Sequence, residues 1–187
     1  MRLLSSFLPF VGKTIAFFIV ICAVWYFVAP TYNSLLAGAA NQLAPAQTTI
    51  SSEHNTIYIS PELSAGWSWM YGINGLDLQY GLLLVVALIA ATPGLRLIQR
   101  LKFIPIAFVI MFIIHVVSVL VFANVANSST PTDVENNTLV ILFCIMGCDL
   151  FPVLVWAALS FKYFLPRSGE SPLSKIEATP EMGKPGT

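Results

Sequence analysis

The chain has 187 residues, 57% of them hydrophobic and 10% charged, with no formal net charge and a mean hydropathy of +0.79. Soluble domains are closer to a quarter charged, so this composition points to an integral membrane protein. Nothing basic and aromatic-interleaved suggests nucleic-acid binding, and Cys22, Cys144 and Cys148 all lie in apolar runs, which argues against a disulfide framework.

Residues 1–13 form a short basic leader with Arg2 and Lys13, followed by an apolar run over 14–29 that ends on Pro30 and continues in helical pattern through 31–43. A first membrane span over about 14–36 is expected. A signal peptide with Ala37-Gly38-Ala39 as its cleavage motif is the competing reading, but that motif lies well past the apolar core, so a retained anchor is preferred. The small residues Ala37, Gly38, Ala39 and Ala40 suit close helix contact.

Residues 30–76 contain no Lys or Arg, while Glu53, Glu62 and His54 are present. A strand-like run at 56–60 stops at Pro61. Trp67, Trp69 and Tyr71 then cluster as an interfacial aromatic belt would. Residues 37–71 read as a small extracytoplasmic cap, too short to hold a large core of its own, and as a lid on the membrane surface in preference to a binding face.

A second span is expected over 72–92. The stretch 93–105 reads as a short hinge bearing Arg96, Arg100 and Lys102, followed by a third span over 103–126. After a polar, acidic loop at 127–137 comes a fourth span over 138–165. Each of these last two exceeds the ~20 residues needed to cross ~30 Å of hydrocarbon. Residues 166–187, rich in Pro, Gly, Ser and Glu, have the composition of a disordered tail.

Charge then orients the four spans. Arg2 and Lys13 precede the first, Arg96, Arg100 and Lys102 lie between the second and third, and Lys162, Arg167, Lys175 and Lys184 close the list of 9 Lys and Arg. All fall on one side of a four-span arrangement, which places both termini in the cytoplasm with the hinge as topology determinant. The long apolar runs are helical, since barrel strands would alternate and be about half as long. The expected fold is therefore an all-α, four-transmembrane-helix bundle with an extracytoplasmic cap between helices 1 and 2.

Within the spans, His115 and Asp149 are the ionisable residues. Such groups are costly in a membrane and face partners in the bundle interior. Counted from the cytoplasmic ends of their spans, both lie roughly 18–21 Å deep, so antiparallel neighbours would bring them together. A proton-handling or substrate-contacting pair is one reading, and a polar contact fixing helix packing is the preferred one. Cys144 and Cys148 share a helical face beside Asp149, and Pro152 removes the hydrogen bond to the Cys148 carbonyl, predicting a kink or a freed carbonyl. A metal held by Cys144, Cys148, His115 and Asp149 is disfavoured, because the spacing is not CxxC and free cysteines commonly act as small core hydrophobes. Gly12-Lys13-Thr14 lacks the glycine a phosphate-binding loop needs at position 7. Asn127-Ser128-Ser129 and Asn136-Asn137-Thr138 match the glycosylation sequon, which matters only in a eukaryote.

Three segments define a resemblance: Trp25-Tyr26-Phe27-Val28-Ala29-Pro30 before a long outer loop, Leu78-Gln79-Tyr80-Gly81-Leu82-Leu83-Leu84 closing on Ala90-Ala91-Thr92-Pro93, and Phe151-Pro152-Val153-Leu154-Val155-Trp156-Ala157-Ala158-Leu159 before a basic exit. The layout, up to about Leu165, resembles the small membrane proteins associated with bacterial exosortases, in particular the exosortase H type. Exosortases are polytopic membrane enzymes read as cysteine transpeptidases, using a Cys, an Arg and a His near the outer face to process C-terminal sorting signals. Their Cys-Ser-Gly signature is absent here, and Arg96 and Arg100 lie on the cytoplasmic side by the charge argument. The resemblance therefore implies a non-catalytic accessory protein of the bacterial inner membrane, without cofactor or metal, whose partners are the bilayer and an exosortase-like enzyme. Two alternatives stay open. One is an intramembrane cysteine transpeptidase or protease using Cys144 or Cys148; the other is a small transporter using His115 and Asp149, disfavoured by the lack of an internal repeat.

Overall fold

A computed structural model describes residues 2–61 and 71–127, and from the last apolar segment residues 140, 147, 148, 150–160 and 163; side chains are described from residue 8 onward, except that of Pro61. The chain is mostly helical, with a small three-stranded sheet. The all-α expectation is thereby corrected.

Helix α1, Arg2–Leu43, runs 42 residues through Pro9 and Pro30. At 1.5 Å per residue it is about 63 Å long, twice the thickness of a bilayer's hydrocarbon. Its upper turns meet the sheet formed by β1 (Thr48–Glu53), β2 (Thr56–Pro61) and β3 (Tyr71–Asn74), antiparallel in the order β1-β2-β3. The strand-like run read at 56–60 is the central strand of that sheet. Glu53 pairs with Thr56, so His54 and Asn55 make a two-residue turn, with His54 at a positive φ of 52°.

The sheet forms because its residues alternate. Thr48 and Ile50 on β1, and Ile57 and Ile59 on β2, are buried, while Thr49 and Ser51 are exposed. One face is apolar and must be covered. It is covered by α1, where Ala29, Leu36, Ala37 and Ala40 recur at helical spacing and are buried. Leu36, Ala37 and Ala40 share one hydrophobic core with Ile50, Ile57 and Ile59. Of the small residues expected to allow close helix contact, Ala37 and Ala40 are buried in that core, whereas Gly38 is exposed with nothing packed on its α-carbon.

Helix α2, Gly75–Ala91, has 17 residues, about 25 Å. It is shorter than the span expected over 72–92, because residues 72–74 belong to β3 and Asn74 caps the helix by accepting from the Leu76 N–H at 3.2 Å. Helix α3, Leu97–Ala126, starts six residues before the expected span. The hinge accordingly shrinks to residues 92–96, with Gly94 at a φ of 80°, and Pro105 lies inside the helix. The physical start of α3 is set by its cap, where the Arg96 N–H donates to Gln99 Oε1 at 3.0 Å, and not by the first uncharged residue.

Among the described residues, α1 and α3 are long and apolar enough to cross a membrane; α2 and helix α4 (Leu150–Ser160) are apolar but shorter. Contacts place α4 beside the hinge. Trp156 stacks on Phe10 with centroids 6.0 Å apart, and its indole N–H donates to Thr92 Oγ1 at 2.8 Å. At the start of α4, the Cys148 carbonyl that Pro152 cannot bond faces the bare α-carbon of Gly81. A Cβ at Gly81 would lie 2.5 Å from that oxygen and 2.7 Å from Pro152 Cγ. That carbonyl is thus packed against α2.

Candidate functional site

The polar interior lies where α1 and α3 cross. His115 of α3 is fully buried, and its Nδ1 is 2.7 Å from the hydroxyl oxygen of Tyr32 on α1. Around Tyr32 stand Trp25, Phe108 and Phe112, with centroids 5.3, 5.6 and 5.7 Å away and rings set edge to face. Such aromatic contacts hold the phenol in one orientation. Two tautomers satisfy the pair: either the phenol donates to Nδ1, or Nδ1–H donates to the phenolic oxygen. In both, Nε2 is left over, and it has no hydrogen-bond partner among the described residues.

One turn along α3, the hydroxyl of Ser118 donates to the Ile114 carbonyl at 2.9 Å and lies 3.4 Å from the thiol of Cys148. Cys148 is buried at this helix junction. Asp149 and Cys144 fall outside the described residues, so the expected His115–Asp149 contact and the thiol pair are not placed. Tyr32, which the search for ionisable groups in the spans passed over, is the group that meets His115. Of the hinge cations, Arg100 is partly buried and donates to the Thr92 carbonyl at 3.2 Å, whereas Arg96 and Lys102 are exposed.

A second polar chain ties three elements together above this site. The Trp25 indole N–H donates to Gln79 Oε1 at 2.7 Å, the Gln79 amide donates to Asn33 Oδ1, and the Asn33 amide donates to the His54 carbonyl at 3.2 Å. Gln79 and Asn33 are fully buried. The amide of Asn33 presses against the first residue of α2, so closely that a Cβ on Gly75 would lie 2.5 Å from its oxygen. The Gly75 N–H in turn donates to the Asn55 carbonyl at 2.6 Å. Helix, helix and hairpin turn are locked at one point. None of these residues carries a charge, so a search for ionisable groups missed them; Asn33 and Gln79 do stand out in the sequence as amides inside apolar segments.

Chemically, the interior offers an imidazole with one nitrogen that no described residue meets, a phenol bound to the other, and a thiol beside a hydroxyl. Among the described residues no three His, Cys, Asp or Glu side chains converge as metal ligands would. The chain matches no family model, no curated protein and no solved structure.

Proposed function

We propose that this chain is a multi-pass protein of the bacterial inner membrane, with four spans and both termini in the cytoplasm, that serves as a non-catalytic partner in an exosortase-type sorting system. The observation that supports this best is how the buried polar groups are used. Trp25, Asn33 and Gln79 join α1, α2 and the hairpin turn, and Tyr32 joins α1 to α3. Groups spent on holding a sheet rigidly above helices suit a docking platform better than a reacting centre. The apolar lengths of α1 and α3 and the one-sided placement of Lys and Arg support the membrane reading.

The test is co-purification of the tagged protein from its native host in a mild detergent. A polytopic sorting enzyme recovered in near-stoichiometric amount, with impaired substrate processing when the sheet is altered, is the expected result. A protein that neither co-purifies with such an enzyme nor changes its processing removes the reading. Reporter fusions at the two termini and in the 127–137 loop test the topology: any terminus found outside overturns it.

The Nε2 of His115, without a hydrogen-bond partner among the described residues, favours a second reading, in which the interior handles a proton or a small polar ligand at His115 together with Asp149. Loss of function in Asp149→Asn and His115→Gln variants that still assemble would select it. The cysteine transpeptidase reading requires Cys144 or Cys148 to be essential, and full activity of both Ser variants ends it.

A further inference from the structure

The opposite end of the molecule holds an open pocket of about 470 Å³ between α1 and the α2–α3 hinge. Its lining includes Lys13 of α1 and Arg100 of α3, with Phe17, Val20, Ala90 and Pro93 forming an apolar wall. Two cations from segments distant in sequence therefore share one concavity.

Their charge is not met from within the described chain. The described acids, Glu53 and Asp77, sit in β1 and in the first turn of α2, at the sheet end. The first turn of α3 holds no acid, so its positive dipole end adds to the cations. Arg100 donates one N–H to the Thr92 carbonyl, while its Nε is shielded from solvent and has no hydrogen-bond partner among the described residues. A shielded guanidinium donor without an acceptor calls for an anion.

The wall decides which anion. Lys13, Phe17 and Val20 are spaced i, i+4, i+7 and line one face of α1, rising about 10 Å from the charged end. Phe17 and Val20 are 41% and 61% exposed. A free phosphate would use the cations and leave this apolar stripe bare. We infer that the pocket binds an anionic phospholipid, its phosphate between Lys13 and Arg100 and its acyl chain along Phe17 and Val20. Basic pockets between membrane helices on the cytoplasmic side recognise lipid headgroups by this chemistry. The inference rests on the membrane reading given above.

The experiment is native mass spectrometry of the full-length protein in mild detergent, with phosphatidylglycerol, phosphatidylcholine and inorganic phosphate as probes. Phosphatidylglycerol is expected to stay bound, phosphatidylcholine to be retained several-fold less, and phosphate not to displace the lipid. Lys13→Gln and Arg100→Gln should each weaken phosphatidylglycerol about fivefold. Arg100→Lys keeps the charge but lacks the Nε donor and should bind between wild type and Arg100→Gln, which separates the charge from the guanidinium's own hydrogen bonds. Arg96→Gln, outside the pocket, should change nothing. Equal retention of the two lipids, displacement by phosphate, or unchanged binding in the Lys13→Gln/Arg100→Gln double variant overturns the lipid site. Carbonate extraction of the wild-type chain separates the two failures: a chain released from membranes sinks the membrane reading, whereas one that stays but does not discriminate lipids sinks only this inference.

Discussion

The two halves of α1 are made of similar residues and meet different surroundings. From Ala29 upward, Tyr32, Asn33, Leu36, Ala37 and Ala40 are buried under the sheet and the neighbouring helices. Below, Ile15, Ile19, Val20, Val24 and Phe27 are exposed, Phe27 by 81%. Apolarity is common to both and so cannot tell them apart. The upper half contains an amide and a phenol that need partners, and the fold supplies them; the lower half offers mainly hydrocarbon, which a bilayer can solvate as well as a protein can.

Substitutions should divide along that line, read by thermal unfolding of the purified protein in one detergent. Leu36→Ala removes a fully buried side chain beneath the sheet and should cost about 2–5 kcal/mol. Gly81→Ala drives a methyl into the Cys148 carbonyl and Pro152 and should cost about 1–3 kcal/mol, more if α4 cannot shift. Tyr32→Phe strands Nδ1 of His115 and should cost about 1–3 kcal/mol, with the His115 ring resonances shifting in NMR. At the hairpin turn, His54→Gly relieves a positive φ and should stabilise by up to about 1 kcal/mol, provided the Asn33 contact to its carbonyl survives. Phe27→Ala in the lower half should fall within about 0.5 kcal/mol of wild type. A cost at Phe27 matching that at Leu36 would mean that protein, not detergent or lipid, covers the lower half, and the contrast would collapse.

Much of the plan was legible in the residues. The continuous apolar runs required helices, and Thr56 to Ser60 announced β2. Boundaries failed where capping competed with hydropathy. Gly72 to Asn74 looked like the start of a helix, yet Tyr58 and Ile57 of β2 pair with Gly72 and Ile73, and hydrogen bonding to a strand outweighed the apolar run that follows. Residues 97–102 looked like hinge because they are charged, but Arg100 and Lys102 tolerate a helix whose first turns lie at its polar end. His115 was found by its charge; Tyr32, Asn33 and Gln79 were not, since uncharged polar groups reveal their importance only when their partners are known.

What the sequence by itself determined was which segments are continuously apolar and where the cations stand between them, because transfer free energy and charge are properties of residues taken one or a few at a time. Only the tertiary structure decided that the upper part of α1 shares a core with a sheet, that Tyr32 meets His115, and that Lys13 shares a pocket with Arg100. Those facts join residues separated by tens of positions, and their distance along the chain says nothing of their distance in space until the helices and strands between them are packed.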